Sequence, residues 1–141
     1  MADLSDPAVL EFLMSGTRTA KVGFTARDGR PLVAPVWFVV DGDDIVFNTG
    51  VKSAKGNAIA RDNRIVVCVD LEVAPFGFVQ VQGVAEVSEE PTELLRLATA
   101  IAARYVGADR ADEFGRRNST PGEAVVRLRP TKVIANLDVT A

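Results

Sequence analysis

No histidine occurs among the 141 residues. Ser-His-Asp and Cys-His catalysis, histidine-ligated zinc and haem held by a proximal histidine are excluded with it. A single cysteine, Cys68, rules out a disulfide within the chain. It stands in the strand-like run Arg64-Ile65-Val66-Val67-Cys68-Val69, where a small buried hydrophobe is expected rather than a catalytic thiol. Basic charge is also short. The net charge is −3, which speaks against a nucleic-acid face. No uncharged apolar run approaches the roughly 18 residues of a membrane span. The opening Met1-Ala2-Asp3-Leu4 is acidic, unlike a secretory signal, so a cytoplasmic location is expected. Neither GxGxxG nor a Walker sequence is found, and no close carboxylate cluster suggests a metal. What remains is chemistry with little proton shuttling by the protein, or chemistry carried by a bound cofactor.

What is present is ordinary globular material: 48% apolar and 25% charged residues, at a length expected to form a single domain over residues 1–141. Asp6-Pro7 opens a helix, with Asp6 as N-cap and Pro7 at the first helical position. Val9, Leu10 and Leu13 form its apolar face, and Ser15-Gly16 stops it. Thr19 to Ala26 reads as a strand, Arg27-Asp28-Gly29-Arg30 as a tight turn, and Pro31 to Val40 as the returning strand. Asp41-Gly42-Asp43 turns the chain into Asp44 to Thr49, completing an antiparallel meander. Ser53 can cap a short helix within Lys52 to Arg61. Arg64 to Leu71 and Phe76 to Val87 are further strands. In the second, Val79, Val81, Gly83, Ala85 and Val87 alternate with polar positions, and Gly83 suggests a bulge or a close approach. Glu90-Pro91 starts the clearest helix, with Leu94, Leu97, Ala98, Ile101 and Tyr105 at helical spacing and Gly107 at its end. Ala108 to Pro121 is read as a short helix plus loop. Glu123 to Arg129 and Thr131 to Asp138 are two last strands, broken by Pro130. Short antiparallel strands with inserted helices give a mainly β (α+β) fold class, a partly open or split barrel with short flanking helices.

One turn stands out chemically. Gly50-Val51-Lys52-Ser53-Ala54-Lys55 lies between a strand and a helix, where free backbone N–H groups attract anions. Only four lysines occur in the chain, and Lys52 and Lys55 are both here. The competing reading is a solvated surface turn. Trp37 is either core or an aromatic wall for a flat ring system. Asn48 and Thr49 are strand-end polar residues that can also bond a ligand. Gln80 and Gln82 can meet a ring edge or phosphate, or simply face solvent. Arg116-Arg117 is read as a surface charge pair.

The order of these features resembles the pyridoxamine 5′-phosphate oxidase-like split β-barrel superfamily. Within it, the chain is most similar to the small B-type flavin/deazaflavin-dependent oxidoreductases of actinobacteria. The matching pieces are Asp28-Gly29-Arg30-Pro31, Pro35-Val36-Trp37-Phe38, Ile45-Val46-Phe47-Asn48-Thr49 and Ser53-Ala54-Lys55. They continue with Arg61-Asp62-Asn63-Arg64-Ile65, Val81-Gln82-Gly83-Val84-Ala85 and Leu128-Arg129-Pro130-Thr131-Lys132-Val133. The resemblance implies a homodimer with the cofactor in a groove at its interface. It implies that Lys55 holds the cofactor phosphate, assisted by Lys52, Ser53 and Ala54. Val36, Trp37 and Phe38 would border the ring system, with Asn48 and Thr49 on the neighbouring strand and Phe76 and Gln82 as further contacts. Many relatives carry an arginine near the serine and an Arg-Asn pair after the lysine. Here Gly56-Asn57 follows Lys55, and Lys52 stands in for the arginine as a point charge rather than a planar fork. Both FMN and the deazaflavin coenzyme F-420 suit the family. The Arg- and Ala-rich, Lys-poor composition suggests a high-GC genome of the actinobacterial kind, which favours F-420. The implied activity is hydride transfer to a conjugated small organic acceptor, with no catalytic side chain and no metal assigned. A non-catalytic F-420 storage protein is the alternative outside enzymology.

Overall fold

A computed structural model of the chain describes residues 3–141; Met1 and Ala2 of the acidic opening lie outside the described residues. Helix α1, Pro7–Met14, begins where expected. The Asp6 carboxylate accepts from Ala8 N–H at 3.0 Å and Pro7 occupies the first helical position. Val9 and Leu13, one turn apart, are buried. Leu10, expected on the same face, is 39% exposed. It sits about 100° round the helix from Val9, outside the narrow stripe that so short a helix buries.

Strands β1, Ala20–Thr25, and β2, Pro31–Val36, form a hairpin in the register Ala20↔Val36 to Thr25↔Pro31. Gly29, at φ 90°, supplies the turn conformation that other residues resist. The expected single strand from Pro31 to Val40 then breaks at Trp37-Phe38. Its second part is β3, Val39–Asp41, which pairs with β4, Asp44–Gly50. The break has a local cause. Phe38 N–H donates to the Tyr105 hydroxyl at 3.3 Å and its carbonyl accepts from Arg104 Nη1 at 2.8 Å, so side chains replace strand partners there. The three-segment meander is therefore not formed. Helix α2, Ala54–Arg61, and strands β5, Arg64–Asp70, and β6, Phe78–Ser88, follow. Helix α3, Pro91–Val106, a 3-10 turn over Ala108–Arg110, helix α4, Ala111–Arg117, and strand β7, Glu123–Asn136, complete the order.

The two C-terminal strands expected on either side of Pro130 are one. Pro130 lies opposite Gly83, where the β6–β7 register shifts by a residue. A bulge tolerates the missing proline N–H without ending the strand. A Cβ on Gly83 would stand 2.1 Å from the Arg129 carbonyl oxygen, so the close approach there admits glycine alone.

The seven strands form one antiparallel sheet in the order β2-β1-β5-β6-β7-β4-β3. Its two edge strands are consecutive in the chain, joined only through Trp37 and Phe38. The sheet thus curls back on itself and leaves a seam without a ladder, which is the split barrel expected. Inward-pointing Val22, Phe24, Phe47, Val67, Val81 and Leu128 fill the barrel with Leu13 and Ile59. Outside it, α3 lays Leu94, Leu97 and Ile101 on Val39, Val46 and Val125. Arg127 locks this second layer, donating to Asp41, Asp44 and Glu93 at 2.8, 3.1 and 3.1 Å. Cys68 is not the core hydrophobe expected. Alternation along β5 turns it outward, half-buried, and burial pushes its thiol above the ordinary value. Among the described residues, no helix is long and apolar enough to cross a membrane.

A candidate cofactor cleft at the head of α2

The anion-seeking turn folds as its sequence dictates. Ser53 caps α2: its hydroxyl accepts from Gly56 N–H at 3.0 Å and donates to the Gly50 carbonyl at 2.7 Å. The N–H groups of Ala54 and Lys55, in the first turn, have no helical acceptor and point out of the helix end. A Cβ on Gly56 would lie 2.2 Å from the Gly50 oxygen. The strand end packs so closely on the helix that a larger residue after Lys55 does not fit.

Lys55 is half-buried and makes no ion pair among the described residues. Burial holds its ammonium below the ordinary lysine value, and the Glu123 carboxylate acts in the opposite direction. It lines a cleft of about 360 Å³, a size suited to a small ligand. Strand alternation builds the cleft. Asn48 and Gly50 share the outward side of β4, with Val125 and Glu123 as their cross-strand partners. Pro35, Val36 and Trp37 enter from the barrel seam, Ala98 and Ile101 from α3, and Asn118 from the end of α4.

Two features of the lining are poised for a ligand. Trp37, 39% exposed, stacks on Tyr105 with ring centroids 5.1 Å apart and planes 2° from parallel. The Tyr105 hydroxyl donates to the Arg18 carbonyl at 2.8 Å while accepting from Phe38, so the stack is fixed from behind. Asn48 Nδ2 donates to the Asn118 carbonyl at 3.3 Å, which sets the amide's orientation. Its Oδ1 is then buried without a hydrogen-bond partner. A buried acceptor left unpaired is costly, and this one is free to accept an N–H or O–H from a ligand or a water.

Lys55, Ser53, Val36, Trp37, Asn48 and Thr49 are thus brought together. Thr49 points into the barrel wall and its hydroxyl lies 3.3 Å from Ser53 Oγ. The other expected residues are placed elsewhere. Phe38 is fully buried beneath the Arg104 guanidinium at 4.5 Å and faces the core. Lys52 and Ala54 are exposed and do not line the cleft. Phe76 sits in the β5–β6 loop at φ 56° and is 49% exposed. Gln82 donates to Gln80 at 2.8 Å on the outer sheet face, where it lines a separate groove of about 660 Å³. Arg116 and Arg117 are exposed at the end of α4, as a surface pair would be. Glu123, Asn118 and the α3 contacts escaped the sequence reading, since only the β4–β7 register brings residue 123 beside residue 50. Among the described residues, no group of three or more potential ligands can hold a metal ion.

Solved structures share this architecture. The conserved hypothetical protein Rv2991 from Mycobacterium tuberculosis superposes with a TM-score of 0.84 at 25% identity, over 99% of this chain and 89% of its own. An F-420 reductase superposes at 0.68 with 24% identity, over 88% of this chain and 94% of that one. The heme storage protein HutZ from Vibrio cholerae reaches 0.75 at 14% identity, over 96% and 98%. At the identities of the last two, the likeness is one of fold. No curated protein sequence matches the chain. The seam-split antiparallel barrel agrees with the family model for pyridoxamine 5′-phosphate oxidase, which matches residues 6–136, and the chain belongs to that family.

Proposed function

We propose that the chain is a deazaflavin-dependent oxidoreductase that uses coenzyme F-420 and reduces a conjugated small organic acceptor. The observation that carries this reading is the half-buried, unpaired Lys55 at the head of α2, in a cleft that also holds an unsatisfied acceptor. The residues fit such a cofactor. Lys55 and the first N–H groups of α2 would take its phosphate, with the Ser53 hydroxyl already committed to shaping the turn. Trp37, braced by Tyr105, would face the flat ring, and Asn48 Oδ1 would accept from the imide N–H that flavins and deazaflavins share. The bound cofactor would supply the hydride. The protein would anchor the phosphate, orient the ring and leave one ring face to the acceptor.

The family membership and the fold shared with an F-420 reductase support the reading, as does the composition of the chain. FMN is the second reading, because the phosphate anchor and the imide acceptor suit it as well. The proposal includes a homodimer. The outer face of β1, β5 and β6 carries the larger groove, with Val84 38% exposed at its border and Val33 70% exposed on adjoining β2. That face would take a second copy, and Phe76 or Gln82 would reach a cofactor only as a partner's contribution.

The chain has one tryptophan, Trp37, inside the cleft, so its fluorescence reports occupancy directly. Titration with F-420 and with FMN is expected to quench it, F-420 binding the tighter. Tight FMN binding with no F-420 binding would sink the reading. Binding of reduced F-420 without its oxidation by quinones, biliverdin or unsaturated esters would make the protein a carrier rather than an enzyme.

A further inference from the structure

We infer that Glu123 weighs the charge of the ligand's phosphate: the cleft penalises a phosphomonoester dianion twice as heavily as a phosphodiester monoanion. This rests on the reading that the cleft holds its cofactor by a phosphate at Lys55, and adds to it how the charge of that phosphate is weighed.

Two charged side chains line the cleft, Lys55 and Glu123, and the rest of its lining is neutral. Lys52 is exposed and outside it, as are Arg116 and Arg117. The site therefore carries one cation and one anion, where a pocket built for a dianion gathers cations. Glu123 is not a mobile surface acid. It pairs with Gly50 across the β4–β7 ladder, its N–H donates to the Thr120 carbonyl at 3.1 Å, and neighbouring Gly122 accepts from Val51 N–H at 2.9 Å. The strand thus fixes the Glu123 backbone opposite the residue where the anion-binding turn begins, and its side chain lines the cleft. It forms no ion pair among the described residues, yet it is the charge that most opposes the effect of burial on Lys55. A phosphate seated against Lys55 feels both groups. The first negative charge is held by the ammonium and the helix end. Each further negative charge feels the same two groups, so the penalty from the carboxylate grows in step with the charge of the ligand. For a like charge in the same small cleft, in a dielectric between protein surface and water, Glu123 weakens binding roughly fivefold for each ligand charge. A diester loses that factor once and a monoester dianion twice, roughly 25-fold.

Three ligands with the same ring separate charge from everything else: riboflavin, the methyl ester of riboflavin 5′-phosphate, and FMN, carrying none, one and two charges above neutral pH. Their affinities are measured by Trp37 quenching on the wild-type protein and on Glu123→Gln. The substitution is expected to tighten FMN by about 25-fold, the methyl ester by about fivefold, and riboflavin by less than about twofold. Glu123→Asp, which keeps the charge, is expected to preserve the wild-type order of the three. Equal changes for all three ligands in Glu123→Gln, or none, would overturn the inference while leaving the cofactor reading intact. F-420 binding with rejection of all three flavins would make the ring the discriminator and overturn it too. Failure of F-420 and of every flavin to bind removes the cofactor reading and this inference with it.

Discussion

Replacing Lys55 by alanine isolates the phosphate anchor. Lys55 is the second residue of α2, a position where alanine is a good helix former, so the helix and its Ser53 cap survive. The ligand-free protein loses only a cation that burial disfavours, and its stability is expected to change by less than about 1 kcal/mol. The ligand loses much more. A charge-assisted hydrogen bond contributes about 1.5–3 kcal/mol, which corresponds to roughly 10- to 150-fold in affinity. The upper half of that range is expected, because Glu123 remains in the cleft with no cation beside it. The assay is quenching of Trp37 by FMN and F-420, each paired with its phosphate-free counterpart, riboflavin or the bare deazaflavin chromophore. Lys55→Ala should weaken only the phosphorylated member of each pair. Lys52→Ala, at an exposed position outside the cleft, should change either by less than about twofold. A Lys55→Ala protein that binds the phosphorylated ligands within twofold of wild type would refute the assignment. So would one that loses the phosphate-free ligands equally.

The same lysine predicts a pH dependence. Burial lowers its value in the free protein, and an anion beside it restores it, so binding takes up a proton in the alkaline range and affinity falls as pH rises through the free-state value. Calorimetric titrations in buffers of different ionisation enthalpy would detect that uptake. Asn48→Leu removes the unpaired Oδ1. It should leave the melting temperature unchanged or higher while weakening the cofactor about tenfold, an exchange visible by comparing thermal melts with binding. Arg127→Met strands Asp41, Asp44 and Glu93 beside one another and should cost roughly 2–4 kcal/mol in urea unfolding. Gly56→Ala forces a Cβ to 2.2 Å from the Gly50 oxygen, and should destabilise by more than about 2 kcal/mol and widen the turn that aims Lys55.

Local signals were legible from the sequence wherever one residue type solves a local problem. Asp6-Pro7, Ser53 and Gly107 mark helix ends because capping and left-handed backbone depend on neighbours a few residues away. Gly83 announced the bulge for the same reason. The errors arose where distant side chains decide. Nothing near Trp37-Phe38 in sequence says that Tyr105 and Arg104 will take the Phe38 backbone and end a strand. Pro130 looked like a break because its partner at the bulge lies 47 positions away, at Gly83. The cleft divides the same way. Lys55, Ser53, Trp37 and Asn48 lie in short segments whose chemistry shows directly. Glu123 and Asn118 join them only through strand register and the packing of α4. Phe38 turns into the core where the strand breaks, and of the two adjacent aromatics only Trp37 lines the cleft.

Strand β7 is made after every other strand of the sheet, yet it lies between β6 and β4 and pairs with both. During synthesis, β2, β1, β5 and β6 can zip together as they emerge, each beside a neighbour already present. The β3–β4 hairpin cannot follow them. It must wait, with Ile45 and Phe47 uncovered, until residues 123–136 arrive to bridge it to the rest. Glu123 and the neighbours of Asn48 come with that same strand. The barrel closes only with that strand, and Glu123 joins Lys55 in the cleft in the same late step.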